Sequence, residues 1–448
     1  MRIGQPPRVV WMAGLLSSLD ACQRGPRPRN PPRFVSPGPL RPLPLAIYPN
    51  GRIGRLESAG CHPCRHGWRG SCWNARIGRT QPQRCLRMAQ MAWSLAHSGT
   101  PRTQLLSIQY LRGLAAMSVL VTHALQWPLP EINMVLLKTG RLGVDVFFVI
   151  SGFIITTIAG DDRFNPKDFL IRRVFRIVPA YWAATLLITL LAVAVPSQFR
   201  TTIPTTEGLI KSLLFIPSLD PKAPLLLLGW SLNFEAFFYA LFASLFFLKS
   251  EMRTLVLLVI FAALIGIGQF ATGLSHVEAV YTSPSLIGFI LGTILAQAHR
   301  HGLFARFSAQ LRWTTIPALC VLLAAFYTDD WSGDEEIALW KHVLMSSTAL
   351  SIVLFALNHE AGGQVGKVSL LKYIGDTSYS IYLFHIFAVG AVWAISNRLF
   401  DLHQPLEYLG CATLAISAGL ATGLVFHYVV ERPFLTVGLK RSRVAAAT

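Results

Sequence analysis

Residues 108–124 read IQYLRGLAAMSVLVTHA, and a second apolar stretch at 143–153 reads GVDVFFVISGF. The first carries Arg112 and His123 inside an apolar run. A cation and a titratable imidazole are costly in a membrane segment and are there functional candidates by default. The two stand eleven residues apart, close to three helical turns, so both project from one helix face about 16 Å apart. One helix thus offers a fixed positive charge near mid-membrane and an imidazole near one surface.

Working outward, the chain of 448 residues is 52% hydrophobic and 14% charged, far more apolar than a soluble core of this size uses. The apolar residues come in blocks of about 20, the length that spans a bilayer. Ten such blocks follow residue 103, at about 105–125, 142–160, 177–195, 226–248, 254–272, 280–298, 313–328, 339–357, 373–396 and 407–430. The predicted fold class is all-α, a polytopic integral membrane protein with about ten transmembrane helices. Among the cysteines, Cys320 and Cys411 sit in apolar runs, where a thiol behaves as a small hydrophobe.

Charge is unevenly spread. Of the formal net charge of +18, residues 1–100 supply +13, from fifteen arginines against Asp20 and Glu57, with no lysine. Residues 1–87 are rich in Pro, Arg and Gly, as in PRPRNPPRFVSPGPLRPLPL, and such composition buries too little surface to offset ordering entropy. The expectation is a disordered extension or a mis-annotated start, with translation beginning at Met88 or Met91. The basicity therefore argues for no nucleic-acid partner. Cys61-x2-Cys64 with His62, His66, Cys72 and Cys85 is a zinc-like cluster without a second tight pair at a known spacing, so no metal is expected there. VVWMAGLL at 9–16 weakly resembles a signal peptide but lacks a small-residue cleavage site.

Loops after the even-numbered spans hold most of the basic residues, including Arg163, Lys167, Arg172, Arg173, Arg176, Arg253, Arg300, Arg306, Arg312, Lys372, Arg432 and Arg441, and one opposite loop is the acidic DDWSGDEE at 329–336. The positive-inside rule places both ends of the core in the cytoplasm. His123 then lies toward the outer face and Arg112 toward the inner half. In the outer loop 196–225, LIKSLLFI at 209–216 is too short to span and suits an interfacial position.

The inner stretch NPKDFLIRRVFRIVP at 165–179 opens with Asn165 and Pro166, an N-cap and a first helical residue. Arg172, Arg173 and Arg176 then cluster at i, i+3 and i, i+4 spacing. Guanidinia held together at a membrane surface suit a polyanion such as a phosphate group; the competing reading is topology control or contact with anionic membrane lipid. His123 suits a general base or nucleophile, or a histidine hydrogen-bonded across helices. Glu235, within GWSLNFEAFFYALF, is a partner for Arg112 or an orienting carboxylate for His123. His385 and Tyr382, in DTSYSIYLFHIF, lie on a span whose face suits a polar cavity, a packed histidine being the plainer reading. Asp145 at the start of LGVDVFF suits a helix N-cap or that same cavity. Ser151-Gly152 suits close helix packing, and His427 and Glu431 an interface anchor. No metal-ligand spacing or phosphate-binding glycine loop occurs among the spans.

Six stretches together resemble the integral-membrane acyltransferase 3 family: IQYLRGLAAMSVLVTHA (108–124), GVDVFFVISGFIIT (143–156), FLIRRVFRIVPAYW (169–182), WSLNFEAFFY (230–239), GDTSYSIYLFH (375–385) and ERPF (431–434). They occur in the family's order over about residues 103–440, and the IQYLRGLAA opening is most similar to the branch that acetylates exopolysaccharides. The resemblance implies ten core helices and a 103–440 acyltransferase domain in the bacterial cytoplasmic (inner) membrane. It also implies transfer of an acyl group, commonly acetyl from acetyl-CoA, to a hydroxyl of a surface glycan or lipid-linked sugar. It puts the family's Arg-x10-His motif on Arg112 and His123, and its Arg-x-x-Arg motif on Arg173 and Arg176. Some relatives carry a further C-terminal esterase-like domain, which here would be a separate protein. The alternative in another class is a transporter or flippase in which Arg112, Glu235 and His385 form a polar or proton pathway.

Overall fold

The computed structural model describes residues 105–126, 133–159, 164–196, 199, 202–217, 224–303, 308–328, 339–400 and 404–445. The Arg/Pro-rich extension with its cysteines, Met88 and Met91, Arg163, Arg306 and the acidic loop at 329–336 lie outside the described residues. Among the described residues the structure is helical throughout, without a strand.

The helices are α1 (Leu106–Gln126), α2 (Asn133–Ile158), α3 (Pro166–Ala194), the short α4 (Thr206–Leu213), α5 (Gly229–Ser244) and α6 (Ser250–Phe270). A one-turn helix α7 (His276–Tyr281) leads into α8 (Ile287–Arg300), followed by α9 (Ser308–Thr328), α10 (Leu339–Ala361), α11 (Ser369–Leu399), α12 (Pro405–Phe426) and α13 (Arg432–Ala445). Each of the ten predicted spans overlaps a helix, although 280–298 crosses the break between α7 and α8. Among the described residues, seven stretches are long and apolar enough to cross a membrane by length and composition. The other three fall short for identifiable reasons. α1 carries Gln109, Arg112, Thr122 and His123, α5 has only 16 residues, and α9 is apolar only over Thr315–Thr328.

The core is a seam between α1 and α11, with α2 on the other side of α1 and α12 on the other side of α11. Contacts advance together along both helices, from Arg112–Ser378 to His123–His385 to Ala124–Trp393, so α1 and α11 run parallel. They approach closely because Gly113 and Gly375 face each other; a Cβ on Gly375 would lie 2.0 Å from the Gln109 carbonyl. The same device joins α2 to α8, where Gly152 packs on the Phe289 carbonyl and Gly292 on that of Val149, which is the packing role expected of Ser151-Gly152.

Both ends of α1 are tied down. At its N-terminus the Glu360 carboxylate accepts the Leu106 and Ser107 N–H groups, at 2.8 and 3.2 Å, a cap delivered from the end of α10. At its C-terminus Trp393 Nε1 donates to the Ala124 carbonyl and the Tyr408 hydroxyl to that of Leu125, at 3.0 and 2.6 Å.

One local expectation is met. Asn165 caps α3 by accepting from the N–H groups of Lys167 and Asp168, with Pro166 at the first helical position. Residues 209–213 of the apolar stretch expected at the interface belong to the short α4, whose Leu213 carbonyl accepts from Trp182 Nε1 at 2.8 Å. One expectation is corrected. α2 starts at Asn133 rather than at 142, so Asp145 lies several turns inside the helix and caps nothing.

Candidate active site

A cavity of about 770 Å³ lies among α1, α2, α3, α5 and α11. It is lined by the first turns of α1, the second half of α2, Arg173, Arg176 and Ile177 of α3, and Ser378, Tyr379 and Tyr382 of α11. One wall is apolar, made by α2 residues including Phe147, Ile150 and Ile154. Its polar lining includes Arg112, Arg173, Arg176, Glu235, Tyr239 and Tyr382.

Arg112 is buried, with Nη1 donating to Gln109 Oε1 at 3.2 Å and Nη2 to Ser378 Oγ at 3.0 Å. Both acceptors are neutral, so its charge is hydrogen-bonded but not neutralised by contact. Glu235 occupies the same cavity but accepts instead from Ser151 Oγ at 3.0 Å and from the Tyr239 hydroxyl. It forms neither the ion pair with Arg112 nor the bond to His123 that its sequence position allowed.

Arg173 lies over the rings of Phe169 and Tyr239, 5.6 Å from each centroid, and its Nε is buried without a hydrogen-bond partner among the described residues. Aromatic faces stabilise a cation and leave its N–H groups available. Arg176, one turn on, opens into the same cavity. Arg172 does not. It points away, pairs with Asp168 at 2.6 Å and keeps 43% of its side-chain surface exposed. The expected trio is thus a pair, because the adjacent Arg172 and Arg173 project about 100° apart around the helix and cannot both face the cavity.

His123 and His385 lie further along the α1–α11 seam and do not line the cavity. His123 Nδ1 and His385 Nε2 are 3.0 Å apart, with ring centroids at 5.2 Å. His385 is fully buried, whereas His123 is half-buried. Gly419 of α12 makes room for this pair; a Cβ there would sit 3.3 Å from His385 Cβ. Tyr382, one turn before His385, does line the cavity and shares a 2.7 Å hydrogen bond with Ser231. His385 is therefore a partner of His123 rather than a cavity residue, and Arg112, Glu235 and His385 form no continuous polar path.

Asp145 is also outside the cavity. It is fully buried, 3.5 Å from Arg141 Nε, and accepts from Ser346 Oγ at 3.3 Å. Arg141 in turn donates to Ser285 Oγ at 2.9 Å and covers the Trp230 ring at 4.5 Å. Asp145 is thus half of an ion pair within α2, and its bond from Ser346 links that pair to α10.

Two polar side chains escaped the sequence reading, Gln109, which orients Arg112, and Tyr239, which binds Glu235, while a third, Glu431, differs from the expected interface anchor. Glu431 is buried in a π-helical turn (His427–Glu431), where it accepts from Ser380 Oγ at 2.6 Å and pairs with His427 Nδ1 at 2.8 Å. It is no interface anchor. Gln109 was detectable as an i, i+3 neighbour of Arg112; the other two depend on tertiary contacts.

Comparison with known proteins gives the geometry its context. The family model described as an acyltransferase domain matches residues 105–424. The exopolysaccharide production protein ExoZ of Rhizobium meliloti is 33% identical over 68% of this chain and 93% of its own length. The peptidoglycan O-acetyltransferase OatA of Listeria monocytogenes is 26% identical over 67% of this chain, and the O-acetyltransferase OatA of Staphylococcus aureus 24% identical over 74%. The chain spans about half the length of these last two, 51% and 57%. No solved structure matches the chain. An integral membrane protein whose matched region carries α1 to α11 and the arginine-lined cavity, this chain belongs to the acyltransferase 3 family of membrane O-acyltransferases.

Proposed function

We propose that this protein transfers an acetyl group from acetyl-CoA to a hydroxyl of a surface or exopolysaccharide sugar, presented as a glycan or a lipid-linked precursor. The 103–440 region carries this activity, as ten spans with both ends in the cytoplasm of a bacterial inner-membrane protein. The observation that carries the reading is the cavity in which Arg112, Arg173 and Arg176 converge against one carboxylate, Glu235. An excess of cations at the cytoplasmic end suits the phosphates of a nucleotide, and the apolar α2 wall suits a pantetheine arm. The name of ExoZ, which matches over nearly its full length, favours an exopolysaccharide acceptor.

In this reading Arg173 and Arg176 take the anionic end of acyl-CoA while the thioester extends past Arg112 along the α1–α11 seam. His123 takes the proton of the acceptor hydroxyl as its oxygen attacks the thioester carbonyl. The C–S bond breaks, and the departing thiolate recovers that proton from His123. Arg112, three helical turns short of His123, adds positive potential along the path of the anionic coenzyme. Ping-pong kinetics with a trapped acyl-histidine would instead make His123 the acyl carrier.

The test compares surface polysaccharide from wild-type and deletion strains by proton NMR. Loss of O-acetyl methyl signals, restored by the wild-type gene but not by His123→Ala, is expected. Unchanged acyl content in the deletion strain would contradict the proposal and favour transport.

A further inference from the structure

The contact between His123 and His385 fixes more than the position of two rings. His385 Nδ1 lies 2.8 Å from the Ile381 carbonyl oxygen, one helical turn back. A carbonyl oxygen can only accept, so His385 Nδ1 carries the hydrogen. The neutral imidazole then has a bare lone pair on Nε2. That lone pair faces His123 Nδ1 at 3.0 Å, and a hydrogen bond there requires His123 Nδ1 to be the donor. The proton order runs from His123 Nδ1–H to His385 Nε2, and from His385 Nδ1–H to the backbone. The one position left without a hydrogen is His123 Nε2.

We infer that His385 is a positioning residue for the transfer reaction, holding His123 in the tautomer whose Nε2 lone pair is free to accept the hydroxyl proton of the acceptor. This rests on the proposed role of His123. The burial pattern agrees with the division of labour. His385 is fully enclosed and cannot meet a substrate, whereas His123 keeps partial exposure. A carboxylate in the same place would hold the same tautomer and also stabilise imidazolium; a neutral imidazole supplies the orientation without a buried charge. The surrounding structure keeps the relation fixed. Thr122 Oγ1 donates to the Leu136 carbonyl at 2.9 Å, and the Ala124 and Leu125 carbonyls are held by Trp393 and Tyr408. The turn bearing His123 is thereby attached to α2, α11 and α12 at once.

Three variants of the full-length protein in lipid nanodiscs test this, with acetyl-CoA turnover against an acceptor glycan as the readout. His385→Phe keeps a ring and removes the acceptor; about a tenfold fall in kcat is expected, with KM for acetyl-CoA within about twofold. His385→Gln places an amide oxygen near the former Nε2 and is expected to recover kcat to within about threefold of wild type. Where His385→Phe does not accumulate as folded protein, His385→Met takes its place, since a thioether is a poor acceptor. Wild-type kcat in the Phe or Met variant overturns the inference, as does equal impairment of Gln and Phe, which would mean that His385 only fills space. His123→Ala separates the two readings. If it is inactive while His385→Phe turns over normally, the positioning role alone falls; if it is active, the role of His123 falls first.

Discussion

Replacing Arg173 by Gln removes one guanidinium from the donor cavity while leaving Arg172, its immediate neighbour, in place. Arg173 Nε is buried without a hydrogen-bond partner among the described residues, and Phe169 and Tyr239 flank the group. Among the described residues no salt bridge holds it, so a phosphate entering the cavity has no carboxylate to displace there. A charge-assisted hydrogen bond of this kind contributes about 1.5–3 kcal/mol, which corresponds to a rise of about 10- to 100-fold in KM for acetyl-CoA. Arg173→Lys should fall between, because a point charge replaces the bidentate fork. Arg172→Gln is the internal control. Its guanidinium pairs with Asp168 at 2.6 Å and lies outside the cavity, so KM should move less than about twofold, as for an exposed ion pair. The assay is release of free CoA thiol by purified protein in nanodiscs across an acetyl-CoA series, with thermal midpoints confirming equal folding. Equal effects of Arg172→Gln and Arg173→Gln, or an unchanged KM in Arg173→Gln, would refute the reasoning.

Three further predictions concern the scaffold. Gly292→Ala sets a methyl 2.1 Å from the Val149 carbonyl in the unrelaxed structure, so α2 and α8 must separate at a cost of about 1–3 kcal/mol; a thermal midpoint equal to wild type would contradict the close approach. Arg253 donates to the Leu245, Phe246 and Leu248 carbonyls and to that of Ala159, at 2.8–3.4 Å, so Arg253→Met should cost about 2 kcal/mol or more by leaving the end of α5 unsatisfied. Asp145→Leu should destabilise by about 3 kcal/mol, because it strands Arg141, and Arg141→Met in the same chain should recover part of that loss; additive losses in the double variant would show that the two residues are uncoupled.

The sequence made the helices legible because apolar blocks of bilayer length are hard to produce for any other reason, and all ten blocks overlap helices. Boundaries were less secure where a charge finds its partners inside the fold. Lys138 and Arg141 look like loop residues, yet Asp145, Ser285 and Trp230 let the chain around Arg141 continue as helix. The candidate site was partly legible. Helical spacing put Arg112 and His123 on one face, and both do meet α11. Spacing could not choose which of Arg172 and Arg173 turns inward, since that depends on the rotation of α3 against α5. Nor could it pair His123 with His385, which are brought together from 262 positions apart by glycine-mediated packing.

The most direct measurement follows radiolabelled acetyl from acetyl-CoA into alkali-labile ester on an acceptor glycan, using purified protein in nanodiscs, with His123→Ala in parallel. The account predicts label in the glycan with the wild-type protein and none above background with His123→Ala at the same thermal midpoint. Equal labelling by His123→Ala would contradict it.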